Sequence, residues 1–559
     1  MIPEPRVWRD ATFTAALRHH ARLRTGPAIR LMRGGSESED LDYSRLAALA
    51  GGTACALTDA GVRAGDRVAV VMTSSLPVIV VVNALFAIGA ALLPIAHRPG
   101  LKSGSHQFDA IIASLRAGMP SCVLLPKDAI DTYQSLVARS GIERWICLDE
   151  LVGTESELPP QSDADAPKLI QFSSGTTSAP KAIVISEDRL ISNVRAILER
   201  IEASANDRLY SWLPLYHDMG LVGGLLTTLY VGASMTLALP FGFVRNPLSW
   251  AESISLHRCT LTLGPPSAFA LLAAKGKVNP DRVTSLDLSS LRLAMTGSEM
   301  VPPDLSSDFQ SAFSAARLRD HVLQPCYGLA ENAVAVTLRR PGQPWSVAHF
   351  ARTALHESRV ELRASAGDDS VTRVGNGGPV EGTEVMIGRI QDGAIVSSDC
   401  GDLFIRGTST ASAVIDHSGE PLPPYKGGWI ATGDLAVMIN DELFIVGRTK
   451  ELIKYGGQSF APTDVERSIA AACGLRDDTV AVVPIFDQPD GRESFAIFIE
   501  APNSVDNDAL VVAARQAVVS AFKMAAKKVI LLRSGELPRT SSGKIKRSLL
   551  GSSLALPQG

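Results

Sequence analysis

From Val68 to His97 the chain reads VAVVMTSSLPVIVVVNALFAIGAALLPIAH, without one Asp, Glu, Lys or Arg. An apolar run of this length has two physical solutions. It is a membrane-spanning helix, which needs about 20 apolar residues, or it is several short elements inside a large core. Pro77, Asn83 and Gly89 interrupt the run near the joints that the second solution requires. The reading is a buried strand, a turn at Thr73-Ser74-Ser75, a buried helix and a second strand, with no stable membrane insertion.

Similar alternation continues over roughly the first four hundred residues, and it implies parallel sheets covered by helices, an α/β fold. YSRLAALAGGTACALTDAG spaces Leu46, Leu49, Ala50 and Leu57 along one helix face, and VRAGDRVAVVM turns into a strand. After Lys181, AIVI predicts a strand and Ser186 a helix N-cap. Glu187 and Asp188 then fall in the first turn, where the helix dipole favours anions. Leu190, Ile191, Val194, Ile197, Leu198 and Ile201 make the apolar stripe of that helix. Arg363 to Pro379 is the most turn-rich segment, and from about Val380 to Gly433 short strands suggest a small β-barrel. A boundary is expected near FIVGRTKELIKYGGQSFAP. Beyond it the helix TDVERSIAAACG, the strands TVAVVPI and ESFAIFIE and the helix DALVVAARQAVVSAFK make a compact α+β unit of roughly 110 residues. The expected division is 1–448 and 449–559.

A chain of 559 residues is too long for one ordinary core. With 46% apolar and 20% charged residues it is globular, and a formal net charge of −4 implies no surface for nucleic acid. The seven cysteines stand singly, without zinc-ligand spacing, which fits a reducing cytoplasm. MIPEPRVWRDATF places prolines and charges where a signal peptide needs an apolar centre.

Two stretches can carry chemistry. SSGTTSAPK offers the hydroxyls of Ser173, Ser174, Thr176 and Thr177, the backbone around Gly175 and the ammonium of Lys181. Together these can wrap the outer phosphates of a triphosphate, or they can form a solvated turn between two strands. It is not a P-loop, because no glycine precedes Lys181 and no helix follows it directly. LPRTSSGKIKR places Lys544 after a glycine, as either a catalytic ammonium or surface charge.

These stretches belong to an ordered series: FSSGTTSAPK, LPLYHDMG, LAMTGSE, CYGLAEN, WIATGDLA, GRTKELIKYGG and LPRTSSGKIKR. From about Tyr43 to Arg547 the series resembles the adenylate-forming superfamily of acyl-CoA synthetases, fatty acyl-AMP ligases, non-ribosomal adenylation domains and luciferases. The resemblance implies a large N-terminal adenylation domain of two α/β subdomains plus a small β-barrel. A mobile α+β C-terminal domain would carry the catalytic lysine. It also implies ATP and Mg²⁺ as cofactors, release of pyrophosphate, and an acyl-adenylate intermediate.

The roles follow by resemblance. Ser173, Ser174, Gly175, Thr176, Thr177 and Lys181 match the phosphate loop, with Thr176 also counted as catalytic. Tyr327 matches the aromatic that stacks on adenine, beside Gly328, with Gly297, Ser298 and Glu299 along the purine. Glu331 matches the Mg²⁺ ligand, Asp434 the ribose ligand, and Arg448 a residue reaching ribose and phosphate. Lys544 matches the lysine bridging the attacking carboxylate and the α-phosphate, where a cation is worth most in the transition state. Lys450 matches the hinge on which the small domain turns.

For the substrate, SWLPLYHDMGLVGGLL is most similar to fatty acyl-AMP ligases. That implies a fatty acid held near His217, Met219 and Gly220, with His217 at the acyl entrance and also catalytic. Asp218 remains open as a ligand for an amino group. The long polar segment LRRPGQPWSVAHFARTALHESRVELRASAGDDSVTRV resembles an insertion that, in those ligases, restrains the small domain and disfavours CoA. The implied acceptor is the phosphopantetheine thiol of an acyl carrier protein, in lipid, polyketide or non-ribosomal peptide biosynthesis. Acyl transfer to CoA, and a non-catalytic nucleotide-binding role, are the alternatives. Ser178 and Ala182 stand where the superfamily usually has glycines, and YGGQSFAP departs from the fatty acyl-AMP ligase pattern.

Overall fold

The computed structural model describes residues 12–34, 37–98, 100–101, 105–160, 166–172, 180–356, 359–367, 370–391, 393–416, 418–455, 458–487, 492–501, 506–539 and 544–555. The segment 173–179, which includes Ser178, lies outside the described residues.

The charge-free run folds as the breakers require: strand Arg67–Met72, helix Leu76–Ile88 and strand Ala91–Ala96. Gly89 closes the helix at φ 87°, a left-handed conformation that glycine adopts without strain. The two strands pair in parallel inside a seven-stranded sheet. Successive side chains of a strand point to opposite faces, and here both faces are covered. Val68, Val70 and Met72 enter one apolar core, while Ala69 and Val71 enter another, beneath helices His106–Gly118 and Ile130–Ser140. No helix among the described residues is long and apolar enough to cross a membrane.

The first core continues into a nine-stranded sheet, in which strands Arg208–Ser211, Leu261–Gly264, Leu293–Thr296 and Leu323–Gly328 are parallel neighbours. Helices Tyr43–Asp59, Leu76–Ile88 and Glu187–Arg200 contribute to the same core. The predicted stripe Leu190, Ile191, Val194, Ile197, Leu198 and Ile201 is buried throughout.

Glu187 falls in the first helical turn as expected and has a second role there. Its side chain points into the core rather than serving only the dipole. Its carboxylate lies 3.1 Å from Lys168 Nζ, both side chains being fully buried, and its Oε1 accepts the Phe13 N–H at 3.0 Å. Burial pushes the Glu187 carboxyl upward, and Lys168 opposes that shift. The pair clamps the base of the hairpin Pro167–Phe172 and Ala182–Ser186, whose connection is 173–181. Ala182 is in extended backbone, paired with Phe172 and Ile415, so this position does not need glycine.

One expectation about the middle of the chain also changes, and another gains detail. The region read as a small β-barrel is a five-stranded antiparallel sheet over Thr383–Arg448. Its edge strands, Ala394–Ser397 and Glu442–Arg448, do not pair with each other among the described residues. The long polar segment before it contains structure of its own. Strand Val347–Ala351 pairs with Ser370–Val374 and with the two residues Leu362–Arg363.

Beyond Arg448 a separate apolar core gathers residues from Ile453 to Val518 with Met524 and Ala526. It is built from helices Pro462–Cys473 and Asn507–Phe522 and strands Val480–Asp487 and Arg492–Glu500. A further strand, Lys528–Leu532, joins in parallel and was not read from the sequence. Two contacts fasten this part to the polar segment. The Arg373 guanidinium donates to both oxygens of Asp464 at 2.9 and 2.7 Å. Arg352 lies over the rings of Phe460 and Phe522, 5.5 and 5.1 Å from their centres.

Candidate active site

Parallel strands end on the same edge of their sheet, and in α/β folds that edge is where ligands bind. The strands ending at Gly264, Thr296 and Gly328 open here onto a cavity of about 1020 Å³. Gly297, Ser298, Tyr327, Gly328 and Glu331 line it at these strand ends, together with Lys181, His217, Asp218 and Met219. Arg448, Lys450 and Lys544 complete the lining from the C-terminal direction. A Cβ at Gly297 would lie 2.6 Å from the Cys326 carbonyl oxygen, so the turn there requires glycine.

Asp434 is centred by its register. It faces Arg448 directly across an antiparallel ladder, and Arg448 Nε donates to Oδ1 at 3.0 Å. Tyr327 Oη donates to Oδ2 at 2.6 Å. Each carboxylate oxygen keeps a second lone pair, so two further hydroxyl donors remain chemically acceptable. Burial and the Asp434 charge push the Tyr327 hydroxyl far upward, which keeps it a donor. Burial alone would lower the Arg448 guanidinium, but Asp434 and Glu451 hold it above its ordinary value.

Lys544 enters the same electrostatic neighbourhood. Burial lowers its ammonium, Glu299 opposes that, Arg448 adds to it, and Asp218 and Asp434 pull it back. Glu331 is the converse. Burial raises its carboxyl and Asp218 adds to this, while Lys181 and Arg448 favour the anion. Among the described residues no group of three or more His, Cys, Asp or Glu side chains is placed to hold a metal by itself. A buried carboxylate at the cavity wall suits a hard cation such as Mg²⁺, which takes few protein ligands and completes its shell with phosphate and water.

His217 and Asp218 precede a helix, Met219–Leu226, wound with the wider π repeat. Such windings concentrate at functional sites. His217 Nδ1 lies 2.6 Å from Asp218 Oδ1, and Asp218 Oδ1 also accepts the Met219 N–H at 2.7 Å. Burial raises the Asp218 carboxyl, but His217, the Met219 N–H and Lys544 bring it below its ordinary value. The preceding residue is tied to the hairpin of Pro167–Phe172 and Ala182–Ser186, because Gln171 Nε2 donates to the Tyr216 carbonyl at 2.9 Å. Trp212, which opens the motif, stacks on Phe243 with ring centres 4.1 Å apart.

The expected residues are therefore placed as follows. Ser173, Ser174, Gly175, Thr176 and Thr177 lie outside the described residues. Gly220 does not line the cavity: a Cβ there would collide with the Pro214 carbonyl, so it is a packing glycine. The cavity glycine of this helix is Gly223, where a Cβ would meet only Leu263, at 3.8 Å. Glu299 does not line the cavity either; it accepts the Ser267 N–H at 3.1 Å and acts on Lys544 by charge. Leu263, Met295 and Val334 line the cavity and were missed, because isolated apolar residues in strands and turns carry no pattern distinguishing a pocket from a core.

Residues 18–415 match the model of the family described as AMP-binding enzyme. The medium-chain-fatty-acid–[acyl-carrier-protein] ligase JamA of Moorena producens is 29% identical over 423 residues, 72% of this chain and 71% of that protein. A 4-hydroxyphenylalkanoate adenylyltransferase of Mycobacterium marinum is 29% identical over 519 residues, 87% of this chain and 81% of that protein. A solved structure described as one of the fatty acyl-adenylate ligases from E. coli and L. pneumophila superposes with a TM-score of 0.87. It covers 98% of both chains at 24% identity, a likeness of fold.

Proposed function

The chain belongs to the AMP-binding enzyme family, and from that premise we propose that it joins a fatty acid to AMP and passes the acyl group to a carrier-protein thiol. The observation that carries the reading is the convergence of Lys544 with Arg448 and Glu331 on one cavity, with the buried Asp434 bonded just behind its wall to Arg448 and Tyr327. In this reading Asp434 accepts from the ribose hydroxyls while Tyr327 and Arg448 hold its orientation. The Tyr327 ring and Gly297-Ser298 border the purine. The carboxylate of the acid attacks the α-phosphorus of ATP, and the bond to pyrophosphate breaks. Two anions must approach each other in that step, and the Lys544 ammonium offsets the charge that gathers between them. Lys181 steadies the departing pyrophosphate with the loop 173–179, including Thr176. Glu331 would hold Mg²⁺, which neutralises phosphate charge when bound. The acyl chain runs past His217 and Met219 toward Gly223, Leu263 and Met295, a lining without charged groups.

For the acceptor, the polar segment supports a carrier protein over CoA. Arg373 and Arg352 grip the C-terminal part while Lys544 faces the cavity, which favours the adenylate-forming pose over one turned at Lys450. JamA, whose name states a carrier protein as acceptor, is consistent with that choice.

The test is carboxylate-dependent exchange of labelled pyrophosphate into ATP, followed by transfer assays with CoA and with a phosphopantetheinylated carrier protein. Exchange with a fatty acid, transfer to the carrier and poor thioester formation with CoA are expected. Absence of exchange with any carboxylic acid would remove the enzymatic reading, and efficient acyl-CoA formation would remove the choice of acceptor.

A further inference from the structure

Resting on the two-step reaction above, we infer that His217 and Asp218 form a base dyad for the second step: His217 Nε2 takes the proton of the incoming thiol, and Asp218 positions the ring. Geometry carries the assignment. A carboxylate oxygen 2.6 Å from Nδ1 favours the proton on Nδ1 over the longer 3.4 Å approach of the Met219 N–H to the same nitrogen, and that tautomer leaves the lone pair on Nε2. The residue is held at both backbone ends: its N–H donates to the Pro214 carbonyl at 3.2 Å, and its carbonyl accepts the Leu221 N–H at 2.8 Å. Its side chain is 20% exposed and borders the cavity that also holds Lys544 and Glu331. Among the described residues lining that cavity, His217 is the single histidine.

The chemistry needs such a group. An alkyl thiol is mostly protonated near neutral pH, and the thiolate is the nucleophile. In the step, the S–H bond breaks and its proton goes to Nε2. The sulfur electron pair forms the C–S bond to the acyl carbon. The bond from that carbon to the phosphate oxygen breaks, and AMP leaves with its electrons. The imidazolium formed is stabilised by the Asp218 carboxylate until it releases the proton to water. The helix N–H of Met219, 2.7 Å from Asp218 Oδ1, holds the carboxylate in place for this. The arrangement also gives Asp218 a role: its Oδ1 is engaged by both His217 and Met219 at the edge of the cavity.

The experiment is single-turnover transfer from a supplied acyl-adenylate to free alkyl thiols of graded acidity at one pH. For an ordinary alkyl thiol, His217→Gln is expected to lower the rate by about 100-fold, within the usual range for a positioned base. With a fluorinated thiol already ionised at the assay pH, its rate should return toward that of the wild type. Asp218→Asn should show a similar recovery, because it disturbs the ring rather than removing it. A loss equal for all thiols, or no loss in either variant, would overturn the dyad. Failure of the wild-type protein to form any acyl-adenylate would instead overturn the function on which the dyad rests.

Discussion

Replacing Arg373 by Met tests the grip between the polar segment and the C-terminal part. The Arg373 side chain is 4% exposed and that of Asp464 is 14% exposed. The substitution strips two charge-assisted hydrogen bonds from Asp464, and two more that Arg373 donates to the Thr372 carbonyl and to the Val446 carbonyl in strand Glu442–Arg448. Removing one partner of a buried pair costs about 3–5 kcal/mol, because the other charge stays desolvated. Asp464 retains some solvent, so the lower figure, about 3 kcal/mol, applies; it corresponds to about 100-fold in an equilibrium. Asp464 recovers its hydration whenever the C-terminal part lifts away. The cost of the unpaired carboxylate therefore falls on the docked pose, while the loss of the two carbonyl contacts, each of neutral acceptors, is the small part that falls on the folded state. The expected result is faster amide hydrogen exchange at residues 449–455, a rise in CoA thioester formation of up to about two orders of magnitude, and a melting midpoint that hardly moves. Reversing the pair, with Arg373→Asp and Asp464→Arg together, should restore the low CoA activity. Unchanged exchange and unchanged CoA formation beside a clear fall in the midpoint would refute the reasoning, because the pair would then serve stability alone.

Lys544→Ala should abolish pyrophosphate exchange yet spare thioester formation from a supplied acyl-adenylate, and equal loss of both would contradict its assignment to the first step. Glu331→Gln should lose exchange and yet stabilise the ligand-free protein, most at higher pH. The Glu331 carboxyl is raised, so its contribution to stability is present at low pH and is lost as pH rises through the raised value; a melting advantage of the variant that fails to grow between about pH 4 and 8 would count against this. Gly223→Leu should leave the fold intact and shift preference to shorter acids, read from the adenylates formed with a chain-length panel. Gly220→Ala should instead lower the melting midpoint, and the opposite pattern would exchange the two glycines' roles.

Much of the architecture was legible because it depends on local chemistry. The charge-free run and its breakers specified strand, turn, helix and strand in that order. The stripe from Leu190 to Ile201 identified a helix face, which burial bears out. The linear motifs named Tyr327, Asp434, Arg448 and Lys544, since function demands those side chains wherever the backbone takes them. Asp434 and Arg448 were named separately, but their direct pairing is a property of strand register, and nothing local to either residue specifies it.

What only the tertiary structure decided are relations between distant residues. Glu187 looked like a helix-dipole residue until Lys168 and Phe13 were found around it. The polar segment carried no strand pattern in the sequence, but a three-stranded sheet and the partners Asp464, Phe460 and Phe522 give it shape. Gly220 and Gly223 are the same letter three residues apart; a carbonyl packed against one and open space beside the other separate their roles. The sequence alone determined which chemical groups are present and which elements carry them, because propensity, periodicity and charge act over a few residues. Which groups share a cavity, and which glycine faces it, follow from packing between elements far apart in the chain, where each contact depends on all the others.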